Sequence, residues 1–229
     1  MKAMILAAGR GERMRPLTDR CPKPLLVVGG KPLIVRHIER LAAAGITDIV
    51  INHAHLGHML EAALGDGGAL GVHIRWSPEP PGALETAGGI RQAMQFLGDA
   101  PFIVINGDIF CDAALAPLAD IATRLSPGGD LAHLLLIDNP DHHPEGDFAL
   151  KAGRVRDKEE PRLTFSGIAA YHPALFAHLE AGHPARLAPQ LRAAMDVDRV
   201  SGEHYRGQWV DVGTPERLAL LDARLRTGA

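Results

Sequence analysis

The chain has 229 residues, 46% of them hydrophobic and 22% charged, with a formal net charge of −3. That length supports one α/β domain with its own core, since chains of this size bury roughly 70% of the surface they expose when unfolded. The even charge balance offers no basic stripe for nucleic acid or an anionic membrane, and no stretch approaches the ~20 apolar residues of a membrane span.

The opening run MKAMILAAGRGER is too short in its apolar part for a secretory leader and ends in glycines and arginines. Ala3 to Ala8 reads instead as a buried first strand. Leu33 to Ala44 has helical spacing and stops at Gly45, a favourable residue just past a helix end. Asp48 to Asn52 is a second buried strand. Leu56 to Leu64 is a short helix, and Val72 to Trp76 alternates like a strand. A loop between Ser77 and Leu84 leads into a helix over Thr86 to Leu97. Phe102 to Asn106 is another buried strand, Leu115 to Leu125 a helix, and His133 to Ile137 a strand.

The second half is less regular. Phe148 to Arg156 reads as a hairpin around Gly153, and Leu163 to Tyr171 as a strand. Pro173 to Glu180 and Leu187 to Met195 read as helices, and Trp209 to Val212 as a short strand. Thr214, Pro215 and Glu216 supply an N-cap, a first-turn proline and an early acid for a last helix. The alternation of continuous Val/Ile/Leu strands with amphipathic helices predicts a Rossmann-like, mostly parallel sheet with helices on both faces. No linker or repeat divides residues 1–229, so one domain is expected, with residues 1–130 binding nucleotide and residues 131–229 building the acceptor side. Cys21 and Cys111 read as free thiols of a reducing compartment, which points to the cytoplasm.

The first strand runs into Gly9-Arg10-Gly11-Glu12-Arg13-Met14-Arg15-Pro16. Glycines after a buried strand let backbone N–H groups approach an anion closely. Arginines just beyond can fork onto phosphate oxygens. A dinucleotide fingerprint would need a third glycine where Met14 stands and an acid where Asn52 stands, and a P-loop would need Gly-Lys-Ser/Thr; none is present. Pro22-Lys23-Pro24 then fixes φ on both sides of one lysine and so aims its ammonium. Asp108 follows a buried strand, and Asp211 lies in a strand 103 residues later. Two carboxylates meeting at one sheet edge suit Mg²⁺, which takes a few carboxylates together with substrate phosphate oxygens. Read singly, each could equally cap a turn or pair with an arginine.

The run LAAGRGERMRPLT followed by PKP resembles the signature of the sugar-phosphate nucleotidyltransferases. So do Leu84-Glu85-Thr86-Ala87-Gly88-Gly89, with Glu85 in place of that family's usual glycine, Asn106-Gly107-Asp108, Thr164 to Ile168, and Trp209-Val210-Asp211-Val212-Gly213-Thr214. The resemblance implies transfer of a nucleoside monophosphate from a triphosphate to a sugar 1-phosphate, with release of pyrophosphate. It further implies that Lys23 contacts the α-phosphate region and that Arg13 holds the leaving phosphates with the Gly9–Gly11 backbone. Ala8, Gly9, Glu79 and Gly88 would line the base and ribose. Asp108 and Asp211 would hold Mg²⁺, and Asn106, Asp147, Glu159, Ser166, Gly167 and Arg206 would serve the acceptor.

Further strings, among them Ile51 to Ala54, Asp138 to His143 with Gly146-Asp147-Phe148, and Ser201 to Gly207, resemble the branch that uses UTP and N-acetylmuramate 1-phosphate in peptidoglycan recycling. Guanylyl transfer to mannose 1-phosphate, thymidylyl or uridylyl transfer to glucose 1-phosphate, and a non-catalytic nucleotide-sugar sensor stay open at this point. Many relatives carry Glu-Lys-Pro near the sugar phosphate. Here Glu160 precedes Pro161 and Lys158 lies two positions earlier, so Arg206 or a neighbouring cation is the candidate for the acceptor's lactyl carboxylate. The histidines, including His53-x-His55-x-x-His58 and His142-His143, lack a convincing third metal ligand and read as surface or supporting groups. The expected partners are small molecules only, with the chain a monomer or small homo-oligomer.

Overall fold

The computed structural model describes residues 1–80 and 84–227. Pro81 to Ala83, part of the loop expected between Ser77 and Leu84, lie outside the described residues, as do Gly228 and Ala229. In chain order come β1 (Lys2–Leu6), β2 (Val27–Val28), β3 (Lys31–Pro32), α1 (Leu33–Ala43), β4 (Asp48–His53), α2 (Gly57–Leu64), β5 (His73–Pro78), α3 (Glu85–Leu97), β6 (Phe102–Asn106), β7 (Ile109–Cys111), α4 (Ala116–Ala122), β8 (Ala132–Ile137), β9 (Phe148–Lys151), β10 (Arg154–Arg156), β11 (Arg162–Tyr171), α5 (Leu187–Asp196), β12 (Val200–His204), β13 (Trp209–Asp211) and α6 (Pro215–Thr227).

Among the described residues, nine strands form one sheet in the order β5-β4-β1-β6-β11-β8-β12-β10-β9. The first four are parallel, as their unbroken apolar runs require. Successive side chains on these strands take opposite faces. Ala3, Ile5, Ile49, Ile51, Ile103 and Ile105 pack with α1, α2 and α4. Met4, Val50, Phe102 and Val104 pack with α3 and α5. Both faces are thus covered, and two large cores lie on opposite sides of the sheet.

The second half departs from a parallel sheet. β11 inserts antiparallel between β6 and β8, β12 returns parallel to β8, and β10 and β9 close the edge as an antiparallel hairpin. The expected helix over Pro173 to Glu180 is only a short 3₁₀ turn, Pro173–Phe176. A separate pair, β7 and β13, runs antiparallel with Asp211 opposite Ile109. Trp209 Nε1 donates to the Ser166 carbonyl at 2.8 Å, which fastens this pair to β11. Thr214 Oγ1 accepts from the Arg217 N–H at 3.3 Å, so the cap expected for α6 is present. No helix among the described residues is long and apolar enough to cross a membrane.

Candidate active site

A cavity of about 510 Å³ opens over the carboxyl ends of β5, β4, β1 and β6, where open α/β sheets bind ligands. The chain leaves β1 because Asn52, at the end of β4, captures the next backbone group: Ala7 N–H donates to Asn52 Oδ1 at 2.8 Å. The glycine loop then forms one wall. Gly11 sits at φ +69, and a Cβ there would stand 2.9 Å from Thr18 Cγ2, so the turn both needs the left-handed conformation and has no room for a side chain. Thr18 Oγ1 donates to the Gly11 carbonyl at 2.8 Å. Arg10 donates to the Thr18 carbonyl and to Asp19 Oδ1, both at 2.9 Å. Arg10 is thus spent on bracing the loop, whereas Arg13 lies on the cavity wall with its side chain 66% exposed.

Lys23 is only 7% exposed, yet it reaches the cavity and places Nζ 2.7 Å from Asp108 Oδ2. Gly107 N–H donates to the Leu6 carbonyl at 2.8 Å, extending the β1–β6 register by one bond and holding Asp108 at the cavity floor. Val212 N–H donates to the Asp108 carbonyl at 3.0 Å, so the backbones carrying Asp108 and Asp211 are directly joined. The Asp211 carboxylate is 2.8 Å from Arg217, 3.5 Å from His142 and 3.9 Å from Arg13. Arg217 also lies 2.7 Å from His142 Nε2. Burial, followed by the Arg217 charge, holds the His142 imidazole below its ordinary pKa. The pairing of Asp211 with an arginine, the bland alternative for that residue, is therefore present. Asp211 does not itself line the cavity, but its carboxylate lies against Gly213, which does.

Of the residues expected at the nucleotide, Ala8, Gly9, Gly11, Arg13, Lys23 and Glu79 line this cavity. Glu79 is buried and bridges two elements: Asn52 Nδ2 donates to its Oε1 at 2.6 Å and Leu84 N–H to its Oε2 at 3.0 Å. Gly88 is placed elsewhere. Its N–H and that of Ala87 donate to the Ala185 carbonyl, and a Cβ at Gly88 would stand 2.5 Å from the His183 carbonyl oxygen. At Ala87 and Gly88 the first turn of α3 is thus closed by the segment before α5, while Glu85 and Thr86 before them line the cavity.

Of the residues expected at the acceptor, Asn106 lines the cavity. Gly167 (φ +80) lies against it across a bulge in β11. Ser166 is buried behind that bulge and accepts from Ile168 N–H through Oγ. Asp147 accepts from Phe165 N–H at 2.8 Å and lies 3.1 Å from His143, which pins the 138–147 loop to β11. Glu159 pairs with Lys151 at 2.6 Å, and that ammonium holds its carboxyl below the usual range. Arg206 is exposed in the turn between β12 and β13. Neither Glu159 nor Arg206 lines the cavity.

Sequence reasoning passed over Asn52, Glu85, Thr86 and Gly213 as cavity residues, and Arg217 as the partner of Asp211. For Asn52 a signal was available: an amide ending an otherwise apolar strand must find partners once buried. As to a metal, no group of three His, Cys, Asp or Glu among the described residues is arranged to hold an ion unaided. The donors present, Asp108 and Asp211, are hard carboxylates whose backbones are joined beside the glycine loop. They fit a hard divalent ion that draws its remaining ligands from phosphate and water.

The nucleotidyl transferase family description matches residues 2–148. The chain is 56% identical to the N-acetylmuramate alpha-1-phosphate uridylyltransferase of Neisseria meningitidis, with 95% of each chain covered. It is 36% identical to the protein of that name from Caulobacter vibrioides, over 97% of this chain and 96% of the other. The crystal structure of a putative glucose-1-phosphate thymidylyltransferase from Bacillus anthracis superposes with a TM-score of 0.85 at 26% identity, covering 99% of this chain and 95% of that one. The glycine loop, the buried Lys23 and the linked backbones of Asp108 and Asp211 thus occur in a chain similar along almost its whole length to sugar-phosphate nucleotidyltransferases: the chain belongs to the nucleotidyl transferase family and is an enzyme of that class.

Proposed function

We propose that this enzyme transfers uridylyl from UTP to N-acetylmuramate 1-phosphate, giving UDP-N-acetylmuramate and pyrophosphate, with Mg²⁺, in the cytoplasm and in the recycling of peptidoglycan sugar. The chemistry rests on one observation above all: a nearly buried lysine ammonium held 2.7 Å from Asp108 at the floor of a cavity walled by a glycine loop. The choice of acceptor and base rests on the near full-length similarity to the Neisseria and Caulobacter enzymes.

The acceptor's phosphate oxygen is already a nucleophile, so the enzyme needs no strong general base. It attacks the α-phosphorus in line as the pyrophosphate oxygen departs, and the protein contributes position and charge. Lys23 meets the charge that grows on the α-phosphoryl oxygens. Arg13 and the Gly9–Gly11 backbone hold the departing phosphates. Asn52 and Glu79, cross-linked to each other and to the start of α3, form a rigid end wall for the nucleoside. Asn106, backed by Gly167 and Ser166, borders the acceptor. Asp108 and Asp211 would hold Mg²⁺, which supplies further neutralisation of the phosphates when bound.

A grid of nucleoside triphosphates against N-acetylmuramate, N-acetylglucosamine, mannose and glucose 1-phosphates, read by pyrophosphate release, tests the assignment. The proposal requires strong release with UTP and N-acetylmuramate 1-phosphate together. Preference for another pair would refute the substrate assignment while leaving the transferase chemistry. A folded protein that binds nucleotide yet releases nothing with any pair would refute the chemistry as well.

A further inference from the structure

Among the described residues, four non-glycine positions have positive φ: Leu56, Glu85, Ala152 and Asp198. Glu85 alone of these lines the main cavity. Its φ is +57, a conformation that favours glycine. Side chains held in such sparsely populated backbone regions gather at binding sites, where function retains them against the strain.

The placement says what the carboxylate faces. Glu85 is the first residue of α3, and its side chain is 52% exposed. Its ionic neighbour, Arg186 Nε, lies at 3.8 Å, beyond hydrogen-bond reach. The other acid of that wall, Glu79, already accepts from Asn52 and Leu84. A carboxylate is repelled by phosphates, which belong at the Arg13 and Lys23 end of the cavity. The uncharged parts of the substrates that donate hydrogen bonds are mainly their sugar rings. The ribose 2′- and 3′-hydroxyls offer two donors at a spacing one carboxylate can accept in parallel, and the acceptor ring, substituted at C2 and C3, offers separate single hydroxyl donors.

We infer that Glu85 is a substrate-reading residue whose carboxylate accepts hydrogen bonds from sugar hydroxyls, either those of the nucleotide's ribose or those of the acceptor ring. The inference rests on the nucleotidyl-transfer reading of the cavity. It accounts for a glutamate kept where the backbone favours glycine.

The test is calorimetric titration of wild type, E85G and E85Q, with Mg²⁺ present, against UTP, dUTP and N-acetylmuramate 1-phosphate (the last in the presence of a non-hydrolysable UTP analogue), together with thermal denaturation. E85G relieves the backbone strain, so it should melt at or above the wild-type temperature. If the ribose is read, E85G loses about tenfold or more in UTP affinity and the preference for UTP over dUTP collapses. If the acceptor ring is read, UTP affinity holds and acceptor affinity falls by a similar factor. E85Q, with one carbonyl oxygen left to accept, falls between E85G and wild type. Affinities for both substrates within twofold of wild type in E85G would overturn the inference. So would a lower melting temperature with no selective loss for either substrate, since that marks a purely structural residue. Because binding is read directly, these outcomes stand apart from whether wild type releases pyrophosphate, which tests the transferase reading itself.

Discussion

The ammonium of Lys23 and the carboxylate of Asp108 meet at 2.7 Å across 85 residues of sequence. One arrives on a proline-flanked turn and the other just past a central strand. The lysine is 7% exposed and the aspartate side chain 42%. The pair therefore sets an enclosed cation against a wetter anion at the cavity floor, with the anion able to turn toward solvent or an ion once phosphate reaches the lysine.

Lys23→Met should lower kcat about 10²–10³-fold, the usual loss when one preorganised donor to a charged transition state is removed. The partly hydrated Asp108 stays solvated without it, so the melting temperature should change little and UTP affinity by only a few-fold. Steady-state kinetics with parallel thermal denaturation check this. A comparable loss in UTP affinity alone, with kcat intact, would make Lys23 a binding group only.

Asp211→Asn removes one of two candidate Mg²⁺ ligands and the charge partner of Arg217, 2.8 Å away. The Mg²⁺ concentration for half-maximal rate should rise at least about tenfold, in the range typical for a disturbed metal site. Mn²⁺ binding followed by electron paramagnetic resonance, with UTP present, should weaken in step.

Gly89→Ala tests the wall that Glu79 and Asn52 build. A Cβ there would stand 2.5 Å from Glu79 Oε1 and 3.0 Å from Asn52 Nδ2. In an ordinary helix interior alanine is favoured over glycine by about 0.5–1 kcal/mol. Here crowding should outweigh that and destabilise by about 1–3 kcal/mol, with a raised KM for the nucleotide. Chemical denaturation and initial rates measure both. A more stable variant with unchanged KM would contradict the rigid-wall account.

Acid should weaken the fold before it titrates most carboxylates. His37 is 2% exposed in the α1 core, and burial pushes its pKa down to about 4 from 6.5. His133, enclosed on β8, is likewise pushed down to about 4, burial again being the largest cause. Groups whose folded pKa is lowered take up protons first in the unfolded chain, so stability rises with pH through this window. It is retained above about pH 6.5 and lost progressively as pH falls toward 4. A gap of about 2.5 units at about 1.4 kcal/mol each gives an upper bound of about 3–4 kcal/mol for His37. Urea denaturation at several pH values between 4 and 7.5 should show the slope, and His37→Leu should flatten it.

Why parts of this molecule can be read from the chain, and others not, follows from the same physics. β1, β4 and β6 are apolar on both faces because helices cover both, so they announce themselves as unbroken runs. β12 reads Val-Ser-Gly-Glu-His and carries no such run. It is a strand because β8 beside it, six buried residues, needs a hydrogen-bonded neighbour. The antiparallel insertion of β11 is likewise a choice of neighbour, which local pattern does not encode. In the site, Gly9, Gly11, Arg13, Lys23 and Asp108 were legible because the turn geometry and the charges sit in contiguous motifs. Arg217 and His142 were not, since they meet Asp211 only after α6 and the 138–147 loop fold against each other. The close packing of Gly88 against His183 and Ala185 was not legible either, since those partners lie almost a hundred residues away in sequence.

The most direct test of the central claim is the yield of sugar nucleotide and pyrophosphate in a single reaction of UTP with N-acetylmuramate 1-phosphate and Mg²⁺, for wild type beside Lys23→Met. The account predicts UDP-N-acetylmuramate and pyrophosphate in equal amounts, formed at least about a hundredfold more slowly by the variant. Pyrophosphate without the sugar nucleotide, or a variant as fast as wild type, would contradict it.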